Sequence, residues 1–497
     1  MDGLIQLLNG FQIVLFHPFN LLALIAGLVL GLIVAVLPGL TLVMGVVLAL
    51  PFTYGMGILP ALILLTAMYV SGTYGGAFTS ILFRIPGEPM DVPLLWDGYV
   101  MARQGEPALA LGWTLFSALV GGMVAAVAMV AMSGPVARFA LALSTPEYFA
   151  IILLGLMSVV TLAGGQLTKA LISLAIGLLL ATVGTDPTHG TLRYDFGFLL
   201  LADGIEYLLV MVGAYGLGEV VTRLEQRGTP AAVSGRDTIV TKLPSLVAAL
   251  KAKWTFVRGS LIGFVIGIVP GAGATIASFV SYGIEGQYGR RRKEMGTGIA
   301  EGIVAPQSAA TSSVGGAMVP LLTMGIPGSG ATAIILAAFM LHGVQPGPHV
   351  FFKSADLVYA IFAAVFLSVI GMCLIGYFAI KLLVRVLEFP EAITSAFVVM
   401  FCFMGAMASR STVGDLWVIA AFGVLGYLFE RYRFPIAPMV LGAILGPLAE
   451  TNFMTTMISF NNDWTVFFTR PGSGAIMAFS VLGLAYTLYS GWRAKKR

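Results

Sequence analysis

The chain has 497 residues, 58% of them hydrophobic and only 10% charged, with a formal net charge of +4. A soluble protein carries roughly a quarter charged residues, and the 61 glycines amount to about 12% against a usual 7% or so. These values exclude a disulfide scaffold, a disordered chain and an ordinary cytosolic enzyme. They leave an all-α polytopic membrane protein, because hydrocarbon demands that every backbone polar group be satisfied internally.

In chain order, no Lys or Arg precedes Arg84, so residues 1–11 lack the basic start of a secretory signal. Apolar segments at 20–37 and 40–52 are separated only by Pro38-Gly39. Crossing a core of about 30 Å takes roughly 20 residues, so this pair is expected to form a re-entrant hairpin. Apolar runs continue at 58–83, 108–132, 148–163, 167–183 and 197–221. After a basic connector they resume at 258–284, 297–342 (interrupted), 356–387, 391–408, 413–430, 434–448 and 473–492. The polar stretch 449–471, with Glu450, Asn452, Asn461, Asn462, Asp463 and Arg470, reads as periplasmic and interfacial. The expected organisation is a first transmembrane half over 1–221, a basic cytoplasmic connector over 222–257 and a second half over 258–448. A periplasmic segment and C-terminal span over 449–497 complete it.

Three clusters hold 15 of the 27 Lys and Arg residues. They are Arg223 to Arg258, Arg290 to Lys293, and Arg493 to Arg497. The positive-inside rule puts all three on the cytoplasmic side, and a basic loop of this kind needs no nucleic acid to explain it. Cys373 and Cys402 are too few for a thiolate metal site, and the four histidines show no ligand spacing. There is no Walker motif and no Gly-x-Ser-x-Gly elbow, so an enzyme is not expected.

The chain repeats itself. Gly27-x-x-x-Gly31 and Leu37-Pro38-Gly39 match Gly259-x-x-x-Gly263 and Val269-Pro270-Gly271. Gly75-Gly76 matches Gly315-Gly316, Ile85-Pro86-Gly87 matches Ile326-Pro327-Gly328, and Asp97-Gly98 matches His342-Gly343. The Gly-x-x-x-Gly pairs alone are explained by close helix packing. The Pro-Gly and Gly-Gly elements are expected to break helices at corresponding places. Seven cations precede the second copy and none the first, which argues for two inverted repeats.

A helix broken within the membrane exposes amides that suit a carboxylate and carbonyls that suit a cation. Candidate substrate-binding residues are therefore Gly39, Thr41, Ser71, Thr73, Gly75, Gly76, Gly273, Thr275, Thr311, Ser312, Ser313, Gly315 and Gly316, all at or beside the expected breaks. Arg84 joins them, because its guanidinium matches a carboxylate with two parallel hydrogen bonds. Snorkelling from a helix end is the alternative for Arg84. Pro38, Gly39, Pro270, Gly271 and Gln307 are the candidates for a coupling ion.

These motifs, with Pro86-Gly87-Glu88-Pro89, Asp97-Gly98-Tyr99, Ala305-Pro306 and His342-Gly-x-Gln-Pro-Gly-Pro348, resemble the large transmembrane subunit (the TctA-like permease) of the tripartite tricarboxylate transporter family. The resemblance covers essentially the whole chain. It implies an elevator-type secondary transporter of the bacterial inner membrane. Its partners would be a small transmembrane subunit and a periplasmic substrate-binding protein, with pairing of two such complexes left open. An organic di- or tricarboxylate would be the cargo, sodium or a proton the coupling ion, and no other cofactor is implied. An intramembrane enzyme and a passive anion channel are the alternatives weighed. The family usually has Ala-Pro-Glu-x-Ala-Asn-Asn where this chain has Ala305-Pro-Gln307-Ser-Ala-Ala310-Thr311, and Asn where it has Arg84.

Overall fold

The computed structural model describes residues 2–37, 40–84, 86–161, 167–186, 190–226, 241–271, 273–378, 391–410 and 412–495. The helices in chain order are α1 (Asp2–Phe16), α2 (Pro18–Val36), α3 (Leu42–Ala49), α4 (Ile58–Phe83), α5 (Leu94–Arg103), α6 (Pro107–Leu141), α7 (Thr145–Thr161) and α8 (Leu167–Ala181). Then come α9 (207–226, with a π-turn over Val212–Leu217), α10 (Lys253–Ile268), α11 (Gly273–Tyr288), α12 (Glu301–Met324) and α13 (Gly330–Leu341). The last are α14 (Ala355–Phe378), α15 (Glu391–Arg410), α16 (Val413–Arg431), α17 (Ile436–Ser459) and α18 (Pro471–Lys495). Single-turn helices are left unlabelled. Among the described residues the only sheet is a pair of two-residue strands at Gly184–Thr185 and Leu192–Arg193.

Six of these helices, α2, α4, α6, α14, α16 and α17, are long and apolar enough to cross a membrane. The chain is a multi-pass membrane protein. α3, with eight residues, is too short to cross. Pro38 and Gly39, the expected hairpin tip, lie outside the described residues.

The chain forms two compact units. One comprises Met1–Ala137 with Thr229–Thr394, the other Arg138–Gly228 with Ser395–Arg497. Each sequence half thus contributes to both. In the first unit α2 packs along α4, and α10 along α12. The Gly-x-x-x-Gly spacing explains both pairings. A side chain at Gly31 would lie 2.5 Å from the Met68 carbonyl, and one at Gly263 would strike Ala309. Only bare backbone permits such approach, and van der Waals packing rather than apolar burial holds helices together in lipid. In the second unit α17 packs on α8 and α7, α18 on α7, and α16 on α9. Arg470 joins Glu147 at 2.9 Å, and Arg193 grips both carboxylate oxygens of Glu450.

One expectation is corrected. Gly75-Gly76 and Gly315-Gly316 break nothing, since α4 and α12 run straight through them. Their missing side chains serve contact instead: Gly75 faces Ala35 and Leu32, and Gly316 faces Phe264 and Gly267. The polar run from residue 449 is helical as far as Ser459, as the end of α17, and Glu450 pairs there with Arg193.

Candidate functional site

Two helix C-termini and three helix starts define the heart of the first unit. α4 ends at Arg84 with φ +61°, and α12 ends at Gly325 with φ +72°. After each left-handed turn a Pro-Gly tip folds back into the helix pair it came from. Gly87 lies so close to Ala35 and Gly76 that a Cβ would be 2.9 Å from the Ala35 carbonyl. Gly328 sits equivalently, 2.7 Å from the Gly267 carbonyl and against Ala317. Gly271, at φ +80°, donates its amide to the Gly328 carbonyl at 3.0 Å.

This folding back brings three helix starts together. Ser329 caps α13 with a capping box, its amide donating to Thr332 Oγ1 at 2.7 Å. A Cβ on Gly273, the first residue of α11, would lie 3.6 Å from Ser329 Cβ. One on Gly330 would lie 3.1 Å from Val43 in the first turn of α3. The buried Tyr69 of α4 places its hydroxyl 2.9 Å from Ser329 Oγ. Helix starts carry unpaired amides and partial positive charge, so their convergence favours an anion.

A second polar cluster lies where α4 meets α12. Gln307 Nε2 donates to the Thr73 carbonyl at 3.1 Å and to Thr311 Oγ1 at 3.2 Å. Thr73 Oγ1 reaches Thr311 Oγ1 at 3.4 Å, although its shorter bond, 2.8 Å, goes to its own helix at Val70. Gln307 Oε1 is buried and has no hydrogen-bond partner among the described residues. Leaving such an acceptor unpaired costs about 1–3 kcal/mol.

The remaining candidates divide. Thr41 caps α3, accepting from the Met44 amide at 3.2 Å. Ser312 crosses to the Ser260 carbonyl at 2.7 Å, whereas Ser313 bonds its own helix at Ala310. Ser71 bonds Met68 at 3.4 Å and also reaches Gly27 on α2 at 3.5 Å. Pro270, Gly271, Gly273 and Thr275 are half-buried at the start of α11. Gly315 packs on Ala125 of α6. Arg84 stands apart from both clusters. It is exposed, with its guanidinium 5.6 Å from the centre of the Tyr99 ring.

Three acids stand outside the candidate site set, although Glu88 and Asp97 belong to the quoted motifs. Glu88 is buried after the first Pro-Gly tip and accepts from the Leu42 amide, so a carboxylate already caps α3. Asp91 accepts from the Glu88 amide at 3.0 Å, and its other oxygen is buried without a partner among the described residues. Asp97, fully buried on α5, accepts from the amides of Gly296, Gly298 and Ile299 and from the Tyr282 hydroxyl at 2.8 Å. The available signal was the rarity of acids in an apolar chain. Ser329 and Thr332 carried another, a cap pattern directly after Pro327-Gly328.

Buried polar groups gathered at half-helix starts inside a multi-pass helical bundle define a membrane transport protein. The Tripartite tricarboxylate transporter TctA family matches residues 21–441, and the chain belongs to that family. An uncharacterized 52.8 kDa protein in the TAR-I ttuC' 3' region of Agrobacterium vitis is 33% identical over 500 residues, covering 100% of this chain and 98% of that protein. An uncharacterized protein in the TAR-II ttuC' 3' region of the same organism is 32% identical over 234 residues, covering 47% of this chain and 97% of its own. No solved structure matches.

Proposed function

We propose that the chain is the permease of an ion-gradient-driven importer for an organic di- or tricarboxylate. A periplasmic binding protein delivers the cargo, and a small membrane subunit completes the complex in the bacterial inner membrane. The observation that carries this reading is the meeting of the α3, α11 and α13 starts around Ser329 and the Tyr69 hydroxyl. The starts of α11 and α13 and a phenol suit a carboxylate, while α3 is already capped by Glu88 and Thr41, and only small side chains stand at Gly273-Ala274-Thr275 and Gly330-Ala331-Thr332. Thr41, Gly273 and Thr275 border this place. The Thr73–Gln307–Thr311 cluster, with its unpaired oxygen, suits a coupling cation. The inverted-repeat reading draws support from direction. α12 starts beside Asp97, just beyond the end of α4, while the segment after α12 returns to Tyr69 in the first half of α4.

The test is uptake of radiolabelled citrate or succinate into proteoliposomes holding the complex, with and without an imposed sodium or proton gradient. Uptake should need one of the two gradients, and Tyr69→Phe should raise the half-saturation concentration several-fold, since one hydrogen bond is worth about 0.5–1.5 kcal/mol. Uptake that runs equally without any gradient would remove the secondary-transport reading.

A further inference from the structure

We propose that the cavity beside the end of α4 is a second, separate anion site, which holds a di- or tricarboxylate between the guanidinium groups of Arg84 and Arg103. The cavity measures about 690 Å³ and is lined by Arg84, Trp96, Tyr99, Arg103, Gln104 and Tyr282 among others. Small-molecule sites span roughly 300–1,000 Å³.

Three observations point to an anion. Neither arginine has a carboxylate partner among the described residues. Asp97, on the same helix as Arg103, is committed to three amides and to Tyr282. Arg103 in the last turn of α5 suits the negative end of that helix, which accounts for one cation but not for two facing the same space. The third observation is the backbone. Arg84 holds φ +61° at a turn that its counterpart makes with Gly325 at φ +72°. A glycine would make this turn without crowding its own Cβ, so the backbone gives no reason for an arginine. The side chain does, because it reaches the cavity and lies over Tyr99. Trp96 meets Phe279 at 5.8 Å and Tyr282 at 4.7 Å, which ties α5 to α11 beside the cavity. Two planar forks on one cavity match an anion with two or more carboxylates better than a monocarboxylate.

This inference rests on the transport reading, to which it adds a docking point for cargo next to the Arg290–Lys293 run, since Gly296 also lines the cavity. The test uses the full chain in phosphatidylcholine nanodiscs and follows modification of Arg84 by phenylglyoxal, read by mass spectrometry. Citrate should slow modification of Arg84 about tenfold, acetate much less, and Arg103→Gln should remove most of the protection. Arg84→Gly should fold as well as the natural chain, because its backbone favours glycine, and should still weaken citrate uptake. If citrate and succinate leave the modification rate unchanged, or protect equally in Arg103→Gln, the proposal fails. It also fails if only added phosphatidylglycerol protects, which would make the cavity a lipid-headgroup site. Wild-type uptake that Gly271→Val abolishes and both arginine variants leave intact would remove this site and keep the transport reading.

Discussion

Replacing Gly328 by alanine tests the packing of the second Pro-Gly tip. The added methyl would lie 2.7 Å from the Gly267 carbonyl oxygen and 2.7 Å from Ala317 Cα. Carbon contacts normally begin near 3.5 Å, and both neighbours are backbone of packed helices, so neither can rotate away. Either the tip lifts, stretching the 3.0 Å bond from the Gly271 amide, or α10 and α12 separate. Overpacking of this kind costs about 1–3 kcal/mol. Gly283 on α11 is the control, because a methyl there meets nothing within 4 Å. Alanine at that position should stabilise by about 0.4–1 kcal/mol through the unfolded state. Equilibrium unfolding in mixed micelles, followed by circular dichroism, should therefore separate the two variants by at least about 1.5 kcal/mol. Uptake should fall with Gly328→Ala and hold with Gly283→Ala. If the two variants unfold together, the tip is not wedged between the helices and the reasoning is wrong.

Other outcomes follow from single contacts. Asp97→Asn should cost about 2–3 kcal/mol, because a charged acceptor serving three amides is lost, and limited trypsinolysis at Arg290–Lys293 should speed up accordingly. Arg470→Ala leaves the carboxylate of Glu147, whose side chain is only 6% exposed, without its cation, and should lower the unfolding midpoint. Removing the exposed Arg431–Glu225 pair should change stability by less than about 0.5 kcal/mol in the same measurement. A cysteine placed in 227–240 should react with a membrane-impermeant maleimide only in opened cells, as the surrounding cations require.

Close helix packing was readable in the sequence because its signature is local. Four-residue spacing of glycine dictates one face, and Gly27, Gly31, Gly259 and Gly263 use that face as expected. The same residue type misled at Gly75-Gly76 and Gly315-Gly316. A glycine pair weakens a helix in isolation, but here α4 and α12 are held straight by neighbours on both sides. The meeting of three helix starts was only partly legible. Pro270-Gly271 and Pro327-Gly328 mark turns, yet which starts face each other depends on how the tips fold back. Tyr69 lies mid-helix with nothing local to distinguish it from a core aromatic. Glu88 looked like part of a loop motif, and its burial follows from the return of that loop onto α4 and α3.

Asp97 has a mechanical consequence. It sits on α5, which supplies Trp96, Tyr99 and Arg103 to one wall of the cavity, and it grips the turn that brings Gly296 to another. A single carboxylate therefore rivets the two walls, so the recess can change its position far more easily than its width. Any displacement of the first turn of α12 is transmitted to α5 as one lever arm. An anion lodged there would travel as ballast with α12 rather than be squeezed out by it, and its escape would be timed by what lies in front of the recess, not by the recess opening.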